Sequence, residues 1–142
     1  MNVTQSSVVG TWKLLSLDME FQATGDKQQP YGPNPHGYLI LTPEGRMMAV
    51  LAANGRKPGL KVEEQAELLR TLLAYTGAYT LSGNRFITKV DVSWNEVWTG
   101  TQQERFFELQ DDRLSIMTAW LPNPNLPGGP IVRASLVFER SK

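Results

Sequence analysis

Five polar side chains carry most of the chemistry this sequence could do: Tyr75, Tyr79, Thr88, Gln103 and Arg105. Each lies in an apolar-rich run where period-two alternation places it on a face that otherwise reads as buried. Arg105 is the most informative. An enclosed guanidinium needs a carboxylate or several acceptors, and leaving it unpaired costs on the order of several kcal/mol. Gln103, two residues away on the same face, could join it in holding a ligand carboxylate or carbonyl. An internal ion pair to Asp91 or Asp18, or a parity that puts Arg105 in water, would serve as well without a ligand. Tyr75 and Tyr79, four residues apart, share a strand face and offer two phenols to a cavity or to wall packing. Met47 falls on the inward parity of Met47-Met48-Ala49-Val50-Leu51. Trp94 and Trp98 flank a turn-like Asn95-Glu96, and Trp120 precedes a proline-rich loop; rings at strand ends suit a cavity mouth or rim packing. His36 is the one histidine. A general-base role would require an acidic partner within about 3 Å, and a single loop histidine reads first as structural or solvated, so no catalytic residue is assigned.

Composition narrows the chemistry further. The absence of cysteine excludes a disulfide framework, a thiolate nucleophile and thiolate metal ligation. With a single histidine, a zinc or iron site is not expected, and neither a metal nor a cofactor is assigned. Gly128-Gly129 lacks the surrounding pattern of a phosphate cradle. Fourteen basic residues balance fourteen acidic ones without like-charge runs, so nucleic acid is not an expected partner. The N-terminus, Met1 to Ser7, has neither a basic region nor an apolar core, and no stretch approaches about 18 apolar residues. Membrane insertion is therefore not expected, and a cytoplasmic protein is. At 142 residues, one domain over 1–142 is expected.

These side chains must be positioned by short strands. Alternating apolar runs occupy Trp12 to Phe21, Leu39 to Leu41, Met47 to Leu51, Tyr75 to Leu81, Arg85 to Ser93, Gln102 to Leu109, Arg113 to Ala119 and Ile131 to Glu139. Turn residues separate them at Thr42-Pro43-Glu44-Gly45, Ser82-Gly83-Asn84 and Gln110-Asp111-Asp112. Residues 22–37, dense in proline and glycine, read as a long ordered connection, a lid or a binding loop; a second such loop runs from Pro122 to Pro130. In the fifth run of this series, Arg85 to Ser93, parity puts Phe86, Thr88, Val90 and Val92 inside. The first run carries two competing parities, Trp12 and Leu14 against Leu15, Leu17, Met19 and Phe21. Either a bulge near Ser16 switches the faces, or the second set covers a protein contact. The period changes from Val62, where Val62, Ala66, Leu69, Leu72 and Leu73 form one helical stripe, with acids in the first turn. A single helix over about residues 62–75 is expected to cover an open end or pack on the wall.

Eight strands are the number at which an antiparallel barrel just holds one small ligand. The chain ends suggest how it closes. Gly10-x-Trp12 opens the first strand, and Val132, Ala134, Leu136 and Phe138 alternate into Arg140 at the end of the last, so pairing lays the guanidinium on the indole. Gly-x-Trp facing a terminal arginine resembles the signature of the lipocalin and fatty-acid-binding (calycin) superfamily. Tyr31-Gly32-Pro33-Asn34-Pro35-His36-Gly37, Leu41-Thr42-Pro43-Glu44-Gly45, Ala74-Tyr75-Thr76-Gly77-Ala78-Tyr79 and Trp98-Thr99-Gly100-Thr101 are similar to one branch, the bacterial lipocalin-like domain proteins. The resemblance covers nearly the whole chain. It implies an all-β fold, an eight-stranded antiparallel up-and-down barrel with Gly10, Trp12 and Arg140 as its closure. It also implies that related barrels hold a fatty-acid carboxylate with an interior arginine and a tyrosine. Members of this branch can carry histidine near Thr88 and Lys89; this chain has none there.

Three functions follow as expectations. The first is binding of a small apolar or amphipathic molecule inside the barrel, with Tyr75, Tyr79, Thr88, Gln103, Arg105, Met47 and Trp98 as ligand-binding residues. The second is an isomerase- or cyclase-type enzyme on the same barrel, working by acid/base catalysis from Tyr79, His36 or a buried acid. The third is a homodimeric scaffold whose interface is the Leu15, Leu17, Met19, Phe21 face.

Overall fold

The structure is a computed structural model, and it describes residues 5–123 and 126–141. Part of the expected polar N-terminus (1–4) and of the expected proline-rich loop (124–125) lies outside the described residues. The chain runs α1 (Gln5–Val8), β1 (Gly10–Phe21), β2 (Lys27–Gln28), β3 (His36–Leu41), β4 (Arg46–Ala52), α2 (Val62–Arg70), β5 (Leu72–Ser82), β6 (Arg85–Ser93), β7 (Gln102–Gln110), β8 (Arg113–Met117), β9 (Leu121–Pro122) and β10 (Ile131–Arg140). All pairings are antiparallel, in the order β1-β3-β4-β5-β6-β7-β8-β10, and β10 returns to pair with β1. That is the closed eight-stranded barrel expected, with β2 and β9 as two-residue extensions on β1 and β10.

Two bulges decide which side chains look inward. In β1 the register with β10 jumps between Leu14 and Ser16, leaving Leu15 as the extra residue. Trp12 and Leu14 then share a face with Leu17, Met19 and Phe21, opposite Arg140, Phe138, Leu136, Ala134 and Val132. The competing parities of the sequence are thus both satisfied by one barrel interior, because an inserted residue flips every later side chain. Leu17 is buried. This corrects the expectation of a dimer contact on the Leu15, Leu17, Met19, Phe21 face: three of the four point into the barrel.

The second bulge sits in β6, where the register with β5 shifts between Thr76 and Gly77 and Asp91 is the extra residue. Up to Val90 the inward set is as expected, but Val92 is turned out and 62% exposed. Gly77 permits the close approach, since a Cβ there would overlap the backbone carbonyl of Lys89.

The helix ends earlier than expected. α2 stops at Arg70, and Leu72 to Tyr75 pair instead with β4, Leu73 against Leu51 and Tyr75 against Ala49. The sheet won because Leu73, Tyr75, Gly77, Tyr79 and Leu81 alternate onto one face, which buries more apolar surface than another helical turn. The last helical carbonyls are also satisfied where they end: Thr71 Oγ1 donates to Glu67 O at 2.9 Å, and Arg56 Nη2 donates to Leu68 O at 2.9 Å. α2 buries none of its residues, and Val62 and Leu69 are exposed. It therefore lies beside the barrel and covers little of it.

Candidate functional site

The barrel has a sealed end and an open one. At the sealed end Trp12 is fully buried, its Nε1–H donating to Val8 O at 2.8 Å, and Arg140 stacks over the ring at 4.3 Å. Arg140 Nη1 donates to Val9 O at 2.8 Å and Nη2 to Ser7 O at 3.0 Å, with Asp112 at 3.4 Å. Gly10 makes room for this arrangement, since a Cβ there would press on Arg140 Nη1 and its φ of 140° disfavours a side chain. Leu14, Leu41, Met47, Tyr79, Phe86, Leu114 and Phe138 fill the space above.

Toward the other end the same interior faces become accessible to solvent. Phe138 is buried, but Leu136, Ala134 and Val132 on its face are only partly so; Tyr79 is buried, but Tyr75 and Leu73 are partly so; Phe107 gives way to Arg105 and Gln103. Four of the seven ligand-binding residues expected from sequence meet here. Arg105, paired with Phe86 across β6 and β7, takes the inward parity. Its Nη2 donates to Gln103 Oε1 at 3.1 Å and its Nη1 to Glu104 O at 3.0 Å. Its guanidinium lies 5.8 Å from the Trp98 ring, and Trp98 makes an edge contact with Tyr75 at 5.1 Å. Trp94 packs edge-on to Trp98, also at 5.1 Å.

A chain of hydrogen bonds fixes Arg105 to the loop that carries Trp98: Gln103 Nε2 donates to Thr101 Oγ1 at 2.8 Å, and Thr101 Oγ1 donates to Trp98 O at 2.6 Å. No carboxylate among the described residues lies within ion-pair distance of Arg105. The two partners weighed from sequence are turned away. Asp91 is held outside by Arg46 at 2.8 Å, and that hydrogen bond keeps its carboxyl below the usual carboxylate range. Asp18 follows the β1 bulge onto the outer parity, opposite Ser135. The Tyr75 hydroxyl donates to no described residue. Burial pushes its pKa up, partly offset by the charge of Arg105, so the phenol is neutral and available as a donor.

Three other expected ligand residues lie elsewhere. Met47, Tyr79 and Thr88 are 1%, 2% and 1% exposed in the packed half. Tyr79 stacks on Phe86 at 5.1 Å, and its hydroxyl donates to Thr42 O at 3.3 Å, the turn at the sealed end. Apolar parity could not distinguish the two halves, since both alternate identically; depth along the strand decides. His36 is exposed and shares the outward parity of Tyr38 and Ile40, so it faces away from the interior.

Sequence reasoning missed Tyr31 and Leu73. Tyr31 belongs to the 22–35 connection yet packs against the core, its carbonyl accepting from Asn54 N–H, with burial raising its phenol pKa. The signal was a lone aromatic between Pro30 and Gly32. Two surface hollows lie outside the barrel. One, of about 450 Å³, runs between α2 and residues 53–58; the other, of about 510 Å³, sits at the sealed end around Asp112 and Arg140.

A family model described as a lipocalin-like domain matches residues 9–141. The chain belongs to the lipocalin-like domain family. The match spans the Gly10 to Arg140 closure of this lipocalin-like barrel and both of its ends. Among curated proteins none matches the chain. A crystal structure of an uncharacterised protein from Bacteroides eggerthii aligns with it at a TM-score of 0.45 and 14% identity, covering 94% of this chain and 98% of that one. No described helix of the lipocalin-like domain is long and apolar enough to cross a membrane.

Proposed function

We propose that the open half of the barrel binds one small amphipathic molecule, its apolar part against Leu73, Tyr75, Leu136 and Trp98 and its anionic oxygen group against Arg105. The observation that carries this reading is the inward Arg105, half-buried, anchored by Gln103 and without a carboxylate partner. A cation left so, at the boundary between a packed interior and solvent, is stabilised most by an acceptor that arrives from outside. Tyr75 offers a neutral phenolic donor in the same cluster, and Trp98 a flat apolar wall.

The test is a competition assay with an apolar fluorescent probe. A medium-chain carboxylate is expected to displace the probe at least tenfold better than the alcohol of equal length, and Arg105→Met to abolish that difference while sparing the alcohol. Absence of saturable probe binding to the wild type would overturn the reading, and so would equal competition by acid and alcohol.

A further inference from the structure

We propose that the outer wall of β3–β6 is the interface of a homodimer of this chain. Leu17, Met19 and Phe21 are turned inward, but another apolar face is left uncovered by the described residues. Its members are neighbours across strands: Ile40 against Met48, Met48 against Thr76, Thr76 against Val92, and in the adjoining row Tyr38 against Val50 and Val50 against Ala74. Tyr38 is 47% exposed, Ile40 39%, Met48 46%, Val50 46% and Val92 62%.

Besides the Tyr38 phenol, the polar groups at the patch are engaged within the chain. Thr76 lies inside the patch, and its hydroxyl already donates to Met47 O at 2.6 Å while accepting from Arg46. The five side chains leave on the order of 400 Å² of apolar surface open, within the size range of the largest patch on a soluble monomer, which is often functional. One side of a standard interface buries about 800 Å², of which about 60% is apolar. The patch therefore supplies most of the apolar area that one side of a standard interface needs.

Charge favours a second copy of this chain over a charged partner. The chain carries 14 basic and 14 acidic residues, so two copies do not repel at long range. Lys13, the β1 neighbour of Tyr38, marks one corner of the patch, and Asp91, beyond Val92, lies at the opposite corner. A two-fold axis lying in the interface between them brings Lys13 of each copy within reach of the other's Asp91 carboxylate, which Arg46 of its own chain already engages. The bulge that makes Asp91 the extra residue also turns Val92 outward, so one local insertion supplies both an apolar and a charged element of this face.

Light scattering on the eluted protein measures the mass directly. The wild type is expected at about 32 kDa, twice the 15.9 kDa of the chain, and Met48→Asp at 15.9 kDa with an unchanged circular dichroism spectrum. Because the chain has no cysteine, Val50→Cys supplies a second readout: it is expected to form a disulfide-linked pair under mild oxidation, whereas Leu69→Cys on α2 is not. Should Met48→Asp fail to fold, the cross-linking contrast and the wild-type mass decide. A wild type that stays at 15.9 kDa up to several hundred micromolar would overturn the proposal. So would a folded Met48→Asp dimer, or a 15.9 kDa wild type that sediments with phosphatidylcholine vesicles, which would assign the face to lipid.

Discussion

Arg140 at the sealed end and Arg105 at the open end each lie beside a tryptophan, yet their surroundings differ in one decisive respect. Arg140 sits 4.3 Å over Trp12, and its hydrogen bonds are taken up by the carbonyls of Val9 and Ser7, with Asp112 nearby. Arg105 stands 5.8 Å from Trp98, with one side-chain amide and one carbonyl as acceptors and no carboxylate. The same pair of residue types thus closes one end of the barrel and leaves the other receptive. Each guanidinium has two hydrogen-bond acceptors; what separates the structural one from the recognition element is that Arg140 also has the Asp112 carboxylate at 3.4 Å and gives both hydrogen bonds to backbone that curls under it. Here Ser7 of α1 and Val9, which leads from α1 into β1, present their carbonyls to Arg140, while the mouth offers Arg105 a side chain that itself is held by Thr101.

Substitutions break this contrast in a graded way. Trp12→Ala empties the largest fully buried side chain and is expected to lower stability by about 3–5 kcal/mol, on the order of 10–20 °C in melting temperature, with denaturant unfolding as the check. Arg105→Met is expected to leave stability unchanged or raised, because it removes a half-buried charge without a counter-ion. It should weaken binding of a carboxylate about ten- to a hundredfold, as loss of a charged hydrogen bond worth about 1.5–3 kcal/mol requires. Arg140→Met reverses that pattern: stability falls by about 2 kcal/mol through lost stacking and carbonyl hydrogen bonds, and carboxylate affinity per folded molecule is unchanged.

The smallest effect is in the alkaline range. The phenols of Tyr31, Tyr75 and Tyr79 all have pKa values raised above 10.0, in each case chiefly by burial. A folded state that holds these protons more tightly than the unfolded one is stabilised below pH 10, and that stabilisation is lost as the pH rises through the folded values. Unfolding free energy is therefore expected to decline above about pH 10, and less steeply in Tyr75→Phe. Phenolate absorbance of the folded protein should show late-titrating tyrosines, one fewer in that variant.

Much of the barrel is legible in the residue pattern. Eight alternating runs, the turn residues between them and a Gly-x-Trp facing a terminal arginine specify a closed antiparallel sheet, because period-two alternation has one face to bury and short turns join neighbours. The cluster of Tyr75, Gln103, Arg105 and Trp98 was legible residue by residue. Its separation from Met47, Tyr79 and Thr88 was not, since alternation carries no information about depth along a strand. The end of α2 was misread because Leu72 and Leu73 fit both a helical stripe and a strand, and the choice rested on an available partner, β4, that local sequence does not reveal.

The sequence alone determined the type of fold, the manner of its closure and the absence of thiol chemistry, for these depend on residue types and on spacings within a few positions. Only the tertiary structure decided where the strands bulge, that the inward Arg105 has no carboxylate beside it among the described residues, and which apolar face remains uncovered by them. Those properties belong to pairs of residues far apart in the chain: Leu15 becomes an extra residue only against Val137 and Phe138, and Arg105 is left without a carboxylate among the described residues because Asp18, past the β1 bulge, and Asp91, held by Arg46, lie on the outer face.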